Sequence, residues 1–337
     1  MLYVTTRNQQ DAFTANHVLT LNRGVDDGLF VPLHFPKLSS QEWKKFSEMS
    51  FGQSVAEMLN MFFGVKLTGW DIDFSIGRYP TRLEPLAHRI MMSETWHNPQ
   101  WQYFRIENCI RELLHTDVSL PGNWVSIAIR MAVLAGMLGH CELADAAPVD
   151  ISVVTGDFTL PISAWYLRKM GFPIGNIICC CNENNQVWEL SCNGQMHTDA
   201  RKITTVVPEA DITMPVNLER LIAACGSLME TEHYLQCCRD GNIYSVSDAM
   251  LQQLRQGIFV NVVSSSRIEA AIPNVYKTHN YLLSPASALA YSGLLDYRAK
   301  TGITRTAMVI CDQSPICSAE TIAKMMNISL DELQKLI

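Results

Sequence analysis

The sequence predicts an α/β protein in which a mostly parallel sheet flanked by helices follows a smaller α+β region. Three neighbouring stretches carry this reading: the β-branched run Ile151-Ser-Val-Val-Thr155 closed by Gly156, the helical apolar spacing of Ile162 to Met170, and the second apolar run Asn176 to Cys181, reached through Gly171 and Pro173. Strand, tight turn, helix and strand in that order make a parallel crossover unit. Such a unit belongs to a sheet covered on both faces, with its ligand site at the carboxyl ends of the strands. Thr155 to Thr159 occupies one such end.

The other elements follow from local pattern. Leu2 to Thr5 reads as a strand, Gly24 to Gly28 as a turn, and Ser40 to Phe63 has helical apolar spacing. Towards the C-terminus, Pro285 to Lys300 reads as a helix and Thr306 to Cys311 as a buried strand. After a loop holding Pro315 comes a short helix, Leu330 to Leu336, with Ser329 as N-cap and Glu332 at capping-box spacing. The pattern changes after about the first ninety residues, which divides the chain into an N-terminal domain, 1–92, and an α/β domain, 93–337.

With 337 residues, 48% of them hydrophobic and 18% charged, the chain has ample material for a sizeable core. A formal net charge of -7 and no dense Lys/Arg block argue against nucleic acid and anionic membrane as partners. A protein partner or a small ligand is the better expectation, and a homo-oligomer is compatible with it. The first ten residues lack the apolar stretch of a signal peptide, and no apolar run is long enough to span a bilayer. A reduced, cytoplasmic setting is therefore expected. Among the 11 cysteines, Cys179, Cys180 and Cys181 fall in a strand whose alternate residues face opposite sides, and they lack the paired spacing of zinc sites. They and the pair Cys237 and Cys238 read as buried small hydrophobes, with no metal site expected.

Several short segments together carry a family resemblance. Met-Leu-Tyr-Val-Thr-Thr-Arg7, Gly28-Leu-Phe-Val-Pro32, Thr155-Gly-Asp-Phe158, Met170-Gly-Phe-Pro-Ile174, Asn182-Glu-Asn184, Asn217-Leu-Glu-Arg220 and Tyr281-Leu-Leu-Ser-Pro285 resemble, in order and approximate spacing, segments of threonine synthase. The resemblance implies the tryptophan synthase β-type fold shared by one class of pyridoxal-phosphate enzymes. That family converts phosphohomoserine to threonine. It needs a lysine for the Schiff base, a glycine-rich loop for the phosphate and a polar group at the pyridine nitrogen.

Measured against that family, the chain departs at each of these requirements. The lysine-bearing segment matches His97-Asn-Pro-Gln-Trp-Gln-Tyr-Phe-Arg-Ile106, which puts Phe104 at the lysine position; a phenyl ring forms no imine. The phosphate loop, Gly-Asn-Phe-Gly in the family, becomes Gly156-Asp-Phe-Thr159, so an acid and a β-branched residue stand where an anion should bind. A cap for the following helix is the structural alternative for Asp157. In the C-terminal loop Asp312 takes the place of a threonine near the pyridine ring. No counterpart of the family's small mobile domain is found between Leu114 and Asn123. On the substrate side the resemblance points to Asn123 and Arg130, the latter able to pair a carboxylate or to serve a structural salt bridge.

These departures imply that pyridoxal phosphate and threonine synthase activity are lost, so no cofactor is expected. The chain would then act as a pseudoenzyme, a binding or interaction module for a protein partner or an amino-acid-like ligand. Two alternatives stay open. One is cofactor-independent chemistry on an amino-acid-like substrate, with His97, Glu94, Asp157, Asp312 and Cys317 as candidates. The other is a pyridoxal-phosphate lyase in which Lys169 or Lys277 has taken over. Trp96, Trp101, Tyr103 and Phe104 either face outward as a docking surface or fill the space the cofactor left.

Overall fold

The computed structural model describes residues 1–87, 89–96, 102–141 and 147–336. An N-terminal layer comprises β1 (Leu2–Thr5), β2 (Phe13–Thr14), α1 (Ala15–Thr20), β3 (Phe30–Pro32), α2 (Ser40–Ser47), α3 (Phe51–Phe63) and α4 (Gly69–Ile76). The three strands form a small antiparallel sheet in the order β2-β1-β3. The helical spacing of Ser40 to Phe63 resolves into two helices because Ser50 caps the second: its hydroxyl accepts from the Gln53 N–H while Gln53 reaches back to the Ser50 N–H. Gly64, at φ +68°, ends that helix in the left-handed region.

The main sheet draws on β4 (Arg82–Ala87), β5 (Ile90–Glu94), β6 (Val149–Val154), β7 (Ile174–Cys181), β10 (Ile258–Val262) and β11 (Ala307–Cys311). Its order is β10-β7-β6-β11-β5-β4, parallel throughout except for β4 at one edge. Between β5 and β6 run α5 (Tyr103–Leu113) and α6 (Trp124–His140); α7 (Thr159–Met170) then makes the expected crossover to β7. A peripheral group follows: α8 (Gln186–Asn193), β8 (Gln195–His197), α9 (Leu218–Cys225), α10 (Leu228–Asp240), β9 (Ile243–Ser245) and α11 (Asp248–Leu254). The chain finishes with α12 (Ser265–His279), α13 (Pro285–Thr301), α14 (Ala319–Met326) and α15 (Leu330–Gln334), the last held by the predicted box between Ser329 and Glu332.

Strand alternation sends side chains to two apolar layers. Ile151, Val153, Ile177, Cys179 and Cys181 lie in one, facing α6 and α7; Ile178, Cys180, Val309 and Cys311 lie in the other, facing α12 and α13. The cysteine triplet is thus buried on both faces, and burial pushes its thiols up, Cys180 to about 12 and Cys181 to about 11.

α6 is apolar nearly all round because it is buried all round, between the sheet and α3 of the N-terminal layer. Trp124 at its start packs against Tyr3, Phe62 and Tyr166, and the Tyr3 hydroxyl donates to Phe62 O at 2.7 Å. Tyr3, Phe62, Trp124 and Ile151 therefore share one apolar cluster. The boundary expected at residue 92 falls inside β5, because β4 and β5 pair with the main sheet rather than with the N-terminal layer. Only Leu114 to Asn123 separates α5 from α6.

A small side chain on β7 allows the close approach of α13, where a Cβ on Gly293 would lie 2.2 Å from Cys180 Sγ. Gly293→Ala should cost about 1–3 kcal/mol of overpacking, partly offset by better helix propensity. Adding Cys180→Ala should recover part of the loss. Urea unfolding of the two single variants and the double variant measures this coupling; additive effects would mean the two residues do not meet.

Candidate functional site

A cavity of about 450 Å³ opens at the carboxyl ends of β6 and β11. This is where strand order changes direction, since β6 continues to β7 on one side while β11 and β5 lie on the other. The turn after β6 supplies one wall through Thr155, Gly156, Asp157 and Thr159; α5 and α6 supply Tyr103, Phe104 and Arg130; Asp312 follows β11. Glu209 and Ile212 come from the segment between β8 and α9.

The turn is a tight, self-satisfied anion-binding geometry. Gly156 takes φ +48° and buried Phe158 takes φ +68°, turning the backbone so that α7 points its first N–H groups into the loop. Asp157 fills that position itself: its Oδ1 accepts the Thr159 N–H at 2.9 Å and its Oδ2 accepts the Thr159 hydroxyl at 2.8 Å. A carboxylate at a helix N-terminus is favoured by the exposed N–H groups and the helix dipole. Asn217 closes the ring. Its Nδ2 donates to Thr159 Oγ1 at 2.8 Å, and its backbone N–H donates to Asp157 O at 3.1 Å.

Across the cavity, Arg130 and Asp312 form a bidentate pair, with Nη1 to Oδ1 and Nη2 to Oδ2 both at 2.8 Å. The Arg130 guanidinium also lies 3.0 Å above the Tyr103 ring centroid. Burial opposes the charge on Arg130, but Asp312 and Tyr103 outweigh it and raise its pKa. Thr95 Oγ1 donates to Asp312 Oδ1 at 3.2 Å, and Asp312 O receives the N–H of Tyr103. Burial pushes the Tyr103 hydroxyl well above its usual pKa. Tyr103 Oη and Arg130 Nε have no hydrogen-bond partner among the described residues.

Of the candidates named from sequence, Tyr103, Phe104, Arg130, Thr155, Gly156, Asp157, Thr159 and Asp312 meet at this cavity, and the other described candidates do not line it. Phe104 is 62% exposed at its mouth, so it neither plugs the cavity nor packs in the core. Of the two roles open to Arg130, the structure shows the internal salt bridge, with Asp312 bonded to both terminal nitrogens. Asn123 is the N-cap of α6, accepting from the Ser126 N–H at 2.8 Å and donating to Leu120 O. Buried Glu94 accepts the Tyr281 hydroxyl at 2.6 Å, and exposed Cys317 contacts the Gln102 amide. Lys169 packs over Trp165 away from this cavity, and Lys277 is exposed on α12. Trp96 packs against the core, while His97 and Trp101 lie outside the described residues. Sequence reasoning missed Glu209. No local signal marks it, because only the path of the chain between β8 and α9 brings it to the cavity.

The chain resembles known proteins in two ways. A family model described as the threonine synthase N terminus matches residues 2–77. Threonine synthase-like 1 of Homo sapiens is 29% identical over 156 residues, covering 43% of this chain and 20% of that protein. The Macaca fascicularis protein of the same name is 30% identical over 148 residues with the same coverage, so the match spans about a fifth of these relatives' length. In fold, the chain superposes on pyridoxal-phosphate-bound threonine synthase from Brucella melitensis with a TM-score of 0.85 at 15% identity, over 99% of this chain and 94% of that one. Yeast threonine synthase gives 0.84 at 14% identity, over 99% and 93%. The resemblance to threonine synthase read from the motifs is thereby shown, as is the α/β fold.

Removing the charge of Asp312 tests the cavity's central pair. Asp312→Asn leaves the Arg130 guanidinium buried without a counter-charge and should cost about 2–3 kcal/mol, below the full loss for a broken buried pair because Asp312 is partly solvated. Thermal unfolding across the two proteins reads the loss; an unchanged midpoint would mean the pair contributes nothing to stability.

Proposed function

We propose that this chain is a threonine-synthase-like binding protein that has given up pyridoxal phosphate and uses the cleft between β6 and β11 to hold a small ligand. The observation that carries the reading is the Asp157 carboxylate seated on the N-terminal N–H of α7, where the family resemblance calls for a cofactor phosphate. A phosphate brought there would displace one anion and face two more, Glu209 and Asp312.

The residues present do not fit the cofactor in other respects. Phe104 stands at the position of the Schiff-base lysine, and no lysine lines the cleft. Pyridoxal phosphate would supply an aldehyde to trap an amine and a ring to delocalise charge, but no side chain here can anchor the aldehyde. The short Leu114 to Asn123 connection is consistent with loss of the family's small domain, which would leave the cleft open to solvent.

One observation favours a second reading, docking to a protein partner. Trp70 and Phe74 stack on the outer face of α4 with ring centroids 5.2 Å apart, 70% and 79% exposed. Exposed aromatic side chains of this kind are the residue types that anchor protein interfaces.

Absorbance spectra of the full chain with and without pyridoxal phosphate, followed by borohydride reduction and mass mapping, test the first reading. The expected outcome is no imine band and no adduct. An adduct at one lysine in substoichiometric competition with none elsewhere would overturn it and locate a rebuilt site.

A further inference from the structure

Resting on the reading of this cleft as a ligand site, we infer that its ligand is an organic ammonium ion with an apolar body, rather than a carboxylate or a phosphate. The volume of about 450 Å³ suits a molecule of modest size. The charges decide its sign. Asp157, Glu209 and Asp312 line the cavity against one cation, Arg130, which leaves two formal negative charges. Asp312 bonds both terminal nitrogens of Arg130 and neutralises its charge, which weakens its pull on an incoming anion.

The two remaining carboxylates differ in their engagement. Asp157 is bonded only by uncharged donors of Thr159, and the dipole of α7 offsets roughly half a charge there. Glu209 lines the cavity, is half-buried and has no hydrogen bond or ion pair among the described residues. An ammonium group supplies what both lack.

A second feature marks the cavity as a ligand site without deciding the sign of the ligand. Tyr103 lines the cavity, is 7% exposed, and its Oη has no partner among the described residues. A phenolic O–H can both donate and accept. The exposed ring of Phe104 at the mouth adds an aromatic face to which cations are attracted. Val154, Leu160 and Ile310 supply apolar wall for a hydrocarbon body.

Isothermal titration of the full chain with phenethylamine and with 3-phenylpropionate compares two probes of similar shape and opposite charge. The amine should bind and the carboxylate should not, and Glu209→Gln should weaken the amine about tenfold while leaving the melting temperature unchanged. Carboxylate binding as tight as the amine would overturn the ammonium assignment and leave the cleft standing as a ligand site. Amine binding untouched by both Glu209→Gln and Phe104→Ala would place the ammonium elsewhere and overturn it too, as would no binding of either probe at millimolar concentration. A reduced pyridoxal-phosphate adduct would instead overturn the reading on which the inference rests.

Discussion

A single buried guanidinium ties the parts of this fold together. Arg220, on α9, is fully buried, and burial pushes its pKa down to about 10. It donates to Phe30 O on β3, to Gly122 O just ahead of α6, and to Asn217 Oδ1. N-terminal layer, central helix and cleft loop therefore share one donor, and each carbonyl would be left buried and unpaired without it. Asn217 passes the constraint onward, since the same side chain bonds Thr159 and its backbone bonds Asp157. Next to Arg220, Glu219 receives Thr6 and Arg7, fastening the first strand to the same helix. The motif Asn217-Leu-Glu-Arg220 is in this light a staple whose geometry the cleft inherits.

The cleft's electrostatics follow from how its charges are already satisfied. A helix N-terminus attracts anions only while its N–H groups are free, and Asp157 takes that place from within the chain. An arginine draws a carboxylate most strongly while its charge is unpaired, and Asp312 pairs it. Both features that would draw an anion are thus answered by acids of the protein itself, and Glu209, without a partner among the described residues, adds a further negative charge to the lining. The motif resemblance puts two of the chain's departures from threonine synthase at these same two acids.

Much of the scaffold was legible in one dimension. The strand, helix and strand from Ile151 to Cys181 stand close to where β-branched runs and helical spacing put them, because each is a local pattern bounded by Gly156, Gly171 and Pro173. The capping box at Ser329 was legible for the same reason, as its partners lie three residues apart. The helical apolar spacing of Ser40 to Phe63 persists through the Ser50 cap, so spacing alone does not mark the break between α2 and α3. The division at residue 92 failed on a different ground: β5 finds its partners β11 and β4 at separations that no local pattern records.

By itself the sequence determined the layer architecture and the resemblance to threonine synthase, and it singled out Phe104, Asp157 and Asp312, since these depend on residue type and short-range spacing. Only the tertiary structure decided that Asp157 turns back onto α7, that Arg130 is held by Asp312 across 182 residues of chain, and that Glu209 arrives at the cavity. Pairing and burial depend on which distant segments share a volume, and in this fold the packing of α6, β6 and β11 settles that.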